Sequence, residues 1–200
     1  MKQTEGVNKA VEILNQGGII IFPTDTAFGI GCRIDDNAAV RRLFRIRKRP
    51  LIQAVPVLVN SIKMAENYLL SPLPNNVRRL MNDHWPGGLT IVYFCQTKKI
   101  PSLVIGGGNS LGVRWPFHHL ISNIIEEVAV PVLGPSANFH GDKTPFQLED
   151  LNQKLVKKVD FVLEGTCKTR QASTVIDCTE IPWRILRQGK SVVSLEKYEL

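Results

Sequence analysis

Ile19-Ile20-Ile21-Phe22 is a continuous apolar run, three of its four residues β-branched, and Pro23 closes it. A run so short and so uniformly apolar predicts a strand buried on both faces. Such a strand needs cover on each side, so the chain must build layers around it. The preceding segment supplies some of that cover. Val7, Ala10, Val11 and Leu14 recur at helical spacing, and Gly17-Gly18 stops the pattern, which predicts a helix over 7–16.

The same alternation continues along the chain. A second strand is expected over 28–34, where Gly29 and Gly31 permit close backbone approach. Asp35-Asp36-Asn37 offers caps for a helix through Arg47, and Pro50 closes that stretch. Further strands are expected over 55–59, 89–95, 111–115, 130–133, 161–163, 174–177 and 183–186. Further helices are expected over 61–70, 75–85, 117–128 and 148–156, with a short tail element covering an edge. Gly106-Gly107-Gly108 is expected to be a mobile loop. Strands and helices interleave without strict βαβ regularity. That predicts an α/β fold, a twisted mixed sheet with packed helices, in one domain over 1–200.

Net charge is +7, which favours an anionic partner such as a nucleotide, a phosphate or RNA. Cys32, Cys95, Cys167 and Cys178 form no CxxC pair, and no histidine stands near them at ligand spacing. Neither a zinc site nor a disulfide framework is expected. Scattered free thiols fit a reducing, cytoplasmic compartment. Met1 to Glu5 run into the first helical pattern with no apolar signal region, and no apolar run is long enough to span a membrane.

Four polar clusters fall at expected strand or helix ends, where open α/β sheets commonly build small-molecule sites. Pro23-Thr24-Asp25-Thr26 could orient a polar substrate, or could be a turn that satisfies its own backbone. Arg45-Ile46-Arg47-Lys48-Arg49-Pro50 is a basic helix terminus. In an extended segment Arg47 and Arg49, two residues apart, would point the same way and could grip one triphosphate. Arg114 lies in an apolar strand, either in a structural ion pair or as a carboxylate anchor. Gly134-Pro135-Ser136-Ala137-Asn138, running on to Gly141 and Thr144, could let backbone approach a ligand as an anion nest.

Several familiar signatures are missing. No GxxxxGK[ST] occurs, no GxGxxG follows a strand, and neither GxSxG nor HExxH is present. His118-His119 is expected at the surface. Cys32 has no nearby histidine to activate it.

Taken in order, the clusters resemble the YrdC-like family, the threonylcarbamoyl-adenylate synthases. The resemblance rests on 22–31, Arg47-Lys48-Arg49-Pro50, Trp85-Pro86-Gly87-Gly88-Leu89-Thr90, Val113-Arg114-Trp115-Pro116, Gly134-Pro135-Ser136-Ala137-Asn138, Ser173-Thr174-Val175-Ile176-Asp177 and Leu186-Arg187-Gln188-Gly189. It extends over about residues 7 to 190. Each motif alone is weak, and their order and spacing carry the match.

The resemblance implies a fold wrapped around a large basic cavity and a reaction that joins L-threonine, bicarbonate and ATP into threonylcarbamoyl-AMP and pyrophosphate. Mg²⁺ would accompany ATP, held mostly by phosphate oxygens, with no dedicated protein metal site. A partner transfer complex would pass the product to tRNA. By the same resemblance, Arg47 and Arg49 would be catalytic and hold the ATP phosphates. Thr24, Arg114, Gly134 and Ser173 would bind threonine. Ser136, Asn138, Thr144 and Arg187 would bind the nucleotide.

This chain departs from the family pattern at three places. Arg47 stands where the family has lysine, Phe28 where it has tyrosine, and Asn60 follows a strand after which many synthases carry histidine. The alternatives are a YciO-like paralogue with another nucleotide-dependent activity, and a non-catalytic module that binds tRNA or double-stranded RNA.

Overall fold

The computed structural model describes residues 3–198. Met1, Lys2, Glu199 and Leu200, at the ends of the expected 1–200 domain, lie outside that range. Helix α1 (Gln3–Asn15) begins before the expected 7–16. Its apolar face of Val7, Ala10 and Leu14 is buried, and Gly17, at φ +80°, turns the chain out of it. Strand β1 (Ile20–Phe22) is fully buried, as its composition required. It pairs antiparallel with β2 (Gly29–Gly31) and parallel with β7 (Phe161–Val162), giving a sheet in the order β2-β1-β7.

A second, six-stranded sheet holds β3 (Val57–Leu58), β4 (Leu89–Phe94), β5 (Ser110–Arg114), β6 (Val132–Leu133), β8 (Thr174–Asp177) and β9 (Arg184–Arg187) in the order β6-β3-β5-β4-β8-β9. Parallel and antiparallel pairs mix within it, as expected. What the pattern did not show is the division into two sheets. They touch through bridges from Gly29 to Ser136 and from Arg33 to Val132. Gly31 permits this approach, because a Cβ there would overlap the Leu133 carbonyl oxygen.

Helices α2 (Asn37–Arg47), α4 (Asn75–His84) and α5 (His119–Val128) follow the expected periodicity closely. Asp36 caps α2 by accepting from the backbone of Ala38 and Ala39 at 2.9 Å. Two expected helices are shorter. The 61–70 stretch is helical only over α3 (Ile62–Glu66), because Leu69 and Leu70 leave it to pair with Cys95, just past β4, and Phe94, its last residue. The 148–156 stretch splits into a short 3₁₀ turn over Leu148–Asp150 and α6 (Gln153–Val156), with Asn152 capping the latter. The strand expected over 28–34 is confined to β2. In the tail, Tyr198 is buried and stacks on Trp183, with ring centroids 6.3 Å apart.

The larger core lies between the six-stranded sheet and helices α2 and α4, while a second packs α1 and α5 against β1. All four cysteines are buried and none is in a disulfide. Among the described residues no helix is long and apolar enough to cross a membrane.

Candidate active site

A cavity opens where the two sheets meet. Its enclosed space is about 180 Å³, smaller than the usual small-molecule pocket, and it widens into an open mouth. Thr24, Arg47, Arg49, Arg114, Gly134, Ser136, Thr144, Ser173 and Arg187 all line it. Of the residues the motifs singled out, Asn138 alone does not. Six segments, from Thr24 to Arg187 and separated by up to 163 residues in sequence, thus converge on one space.

Thr24 follows β1 and serves two purposes. Its hydroxyl donates to the Ala27 carbonyl at 2.7 Å and accepts from the Thr26 and Ala27 backbone at 3.2 Å. The self-satisfied turn is therefore real, and it forms one wall of the cavity.

Arg114, at the end of β5, meets the first of the two alternatives left open for it, the structural ion pair. Its side chain is buried. Nε donates to the Gly87 carbonyl at 2.9 Å, Nη1 to Thr26 Oγ1 at 2.6 Å and Nη2 to Asp25 Oδ1 at 2.5 Å. Burial lowers the guanidinium pKa, and the Asp25 carboxylate opposes that shift. Three of its five N–H groups are engaged, which leaves two for a ligand carboxylate.

Arg47 and Arg49 reach the cavity by a route other than the extended one expected. Arg47 is the last residue of α2, and Lys48 caps the helix in the left-handed region at φ 54° and ψ 36°. That cap turns the chain so both arginines face the same space. Arg47 is buried and donates from Nε to the Asn138 carbonyl and from Nη2 to Asn138 Oδ1, each at 3.0 Å. Its Nη1 is buried with no hydrogen-bond partner among the described residues. Its pKa is lowered to about 10, chiefly by burial and then by the neighbouring Arg49 charge. Arg49 donates to the carbonyls of Gln53 and Ala54 at 3.0 and 2.5 Å.

On the opposite wall, Arg187 of β9 holds Ser173 with Nε on its carbonyl at 2.8 Å and Nη2 on its hydroxyl at 2.9 Å. Partial burial lowers its pKa. Ser173 Oγ in turn lies 2.9 Å from Thr90 Oγ1. Gly134 sits where a Cβ would overlap the Leu58 side chain. Asp25 and Thr26 were expected only as part of a cluster that could orient a polar substrate, and Thr90 was given no role in advance. Thr90 stands at the end of the Trp85–Thr90 motif, and Asp25 and Thr26 are polar residues inside a buried run, which was the available signal.

The arrangement has four guanidinium groups, several hydroxyls and no histidine or cysteine in its lining. It can bind a polyanion beside a small polar molecule and align them. It offers no covalent nucleophile. Among the described residues no group of three or more His, Cys, Asp or Glu side chains could hold a metal ion.

The family model for Sua5, YciO and YrdC proteins, described as "Telomere recombination", matches residues 12–189. The chain belongs to the Sua5/YciO/YrdC family. It is 30% identical over 181 residues to the threonylcarbamoyl-AMP synthase of Pyrococcus abyssi, covering 90% of this chain and 53% of that protein. It is also 30% identical over 185 residues to the uncharacterized protein YciO of Escherichia coli, covering 92% of this chain and 88% of that protein. The chain thus spans about half the length of the Pyrococcus relative and most of the length of YciO. Among solved structures, P. abyssi Sua5 complexed with L-threonine superimposes with a TM-score of 0.88 at 28% identity, over 94% of this chain and 55% of that one. E. coli YciO superimposes with a TM-score of 0.85 at 28% identity, over 97% and 93%. These matches establish the YrdC-type fold, mixed sheets with packed helices, for this family member.

Proposed function

We propose that this protein is an L-threonylcarbamoyladenylate synthase. The observation that carries the proposal is the convergence of Arg47, Arg49, Arg114 and Arg187 on one cavity, with Arg114 braced by Asp25 and Thr26. The relatives named synthases, and the relative whose structure contains L-threonine, support the choice of substrate.

In this reading the two remaining N–H groups of Arg114 receive the threonine carboxylate, and the Gly134 carbonyl accepts from its amine. The amine nitrogen attacks the carbon of bicarbonate, forming a carbamate and releasing water. A carbamate oxygen then attacks the α-phosphorus of ATP, and the bond to the β-phosphate oxygen breaks to release pyrophosphate. Arg47 and Arg49 stabilise charge developing on the phosphates, and Arg187 and Ser173 hold the carbamate end. Alignment and exclusion of water are what the walls contribute, since free carbamates break down readily. A magnesium ion carried in on the triphosphate would be held by phosphate oxygens and water. When bound, it would screen phosphate charge. The product would pass through a transfer complex to tRNA.

The test is to incubate the protein with ATP, L-threonine, bicarbonate and Mg²⁺ and follow pyrophosphate and threonylcarbamoyl-AMP. Threonine-dependent formation of both is expected, and Arg114→Ala should remove it. Absence of both, beside an active synthase control, overturns the proposal.

The near-complete coverage of YciO favours one second reading, a paralogue with a different nucleotide-dependent activity. Pyrophosphate release from ATP that does not respond to threonine would select it.

A further inference from the structure

Asn138 lies outside the cavity lining, yet its side chain is more heavily used than that of any neighbour in its loop. Its Oδ1 accepts from Ser136 Oγ at 2.7 Å and from Arg47 Nη2 at 3.0 Å, and its Nδ2 donates to the Asp142 carbonyl at 2.6 Å. Its carbonyl takes Arg47 Nε at 3.0 Å, and the Arg47 carbonyl receives the His140 N–H at 2.8 Å. The end of α2 and the loop after β6 are therefore tied at three points. The Nε and Nη2 edge of the guanidinium faces Asn138, which fixes the plane of the group. Nη1 is the group left over, buried and without a partner. Among the described residues no carboxylate contacts this guanidinium, and Arg49 beside it adds a like charge. A buried cation in that position is costly unless an anion arrives.

We propose that Asn138 is a positioning residue: it clamps the Arg47 guanidinium edge-on so that Nη1 is presented to a phosphate group of the bound nucleotide. This deepens the synthase reading at its nucleotide end and rests on that reading only for the identity of the anion. A lysine, the residue usual in the family at this position, has no fork for Asn138 to hold. The clamp is thus coupled to this chain's own departure at Arg47. Phosphate binding and the order of the loop carrying Ser136 and Thr144 become one event, because both hang on the same side chain.

The experiment measures ATP binding directly by titration calorimetry, with and without Mg²⁺, and inorganic tripolyphosphate serves as a base-free probe. Asn138→Ala should raise the Kd of both about tenfold, the loss expected when one charge-assisted hydrogen bond is misaligned. In the Arg47→Lys background the same substitution should change Kd less than twofold. An equal loss in both backgrounds would mean that Asn138 acts independently of Arg47 and would overturn the proposal, as would an unchanged Kd in the Arg47 chain. In turnover, the loss should fall on the KM for ATP more than on the KM for threonine, a split that mere destabilisation would not produce. Should Asn138→Ala not fold, Asn138→Ser is measured in the same two backgrounds by the same criterion. If the unaltered protein binds ATP but forms no threonylcarbamoyl-AMP, the synthase reading fails while the clamp is still judged by these ratios. If it binds neither ATP nor tripolyphosphate, the clamp proposal fails with it.

Discussion

Arg114 donates from Nη2 to Asp25 Oδ1 at 2.5 Å, and each side chain is only 7% exposed. The pair joins the turn after β1 to the end of β5, so it connects the two sheets at the cavity. Removing one partner would strand a charge in the interior. Asp25→Ala is therefore expected to cost about 3–5 kcal/mol in urea unfolding. Replacing both, as Asp25→Leu with Arg114→Met, should cost less than Asp25→Ala alone. A single-substitution cost below about 1 kcal/mol would contradict the picture of an unscreened pair.

Arg49→Ala should separate chemistry from folding. The contacts of the Arg49 guanidinium are to carbonyls four and five residues on, in its own loop. Its removal is expected to lower kcat/KM for ATP by about 10²–10³, as for loss of one preorganised donor on developing charge. The melting temperature should move by only a few degrees. A variant that retains full pyrophosphate release would remove Arg49 from the phosphate site.

Gly31→Ala tests the seam between the sheets. The added methyl would overlap the Leu133 carbonyl oxygen and crowd the Val132 side chain. Destabilisation of roughly 3 kcal/mol is expected, with loss of threonine and nucleotide binding together. Gly107→Ala is the contrast. It has open space around it, so only the strain of its positive φ is felt, about 1 kcal/mol.

Acid stability should depend on Asp160. Its carboxylate receives Arg42 Nη1 at 2.6 Å and the Ile19 N–H at 2.7 Å, and these hold its pKa below the ordinary 3.8, the Arg42 hydrogen bond acting most strongly. The unfolded chain binds the proton more readily. The stabilisation is therefore complete above the unfolded value and is lost as pH falls from about 3.8 through the lowered one. With the side chain 35% exposed the effect is screened and modest. Asp160→Asn should flatten the acid limb of a stability profile in that window and leave pH 7 activity intact.

The periodicity of α2, α4 and α5 was legible because each presents one apolar stripe to a sheet. The short strands were legible as positions but not as partners. Nothing in Ile20–Phe22 tells that β1 pairs with Phe161–Val162 rather than joining the larger sheet, since pairing at a separation of 141 residues is decided by packing. Leu69 and Leu70 read as the end of a helix, yet hydrogen bonds to the β4 edge outweigh two residues of helical propensity. At the site, residue types were legible and relations were not. Arg47 and Arg49 were found from spacing, but the left-handed Lys48 that aims them was invisible, because αL is uncommon for lysine. Asn138 was expected to bind the nucleotide; in the structure it lies outside the cavity lining and accepts from the Arg47 guanidinium.

The walls of the cavity come from positions as far apart as Thr24 and Arg187. Any anion seated there ties the first and last strands of the chain to each other across the gap between the sheets. It acts as a removable cross-link, and its binding energy is drawn upon whenever the domain tries to open as a whole. At a hundredfold excess over Kd the folded state gains about 2.7 kcal/mol. Removal of β9 would take Arg187 from the cavity wall, so in the proposed reading a thermal shift on adding ATP would report whether the first and last strands are both in place.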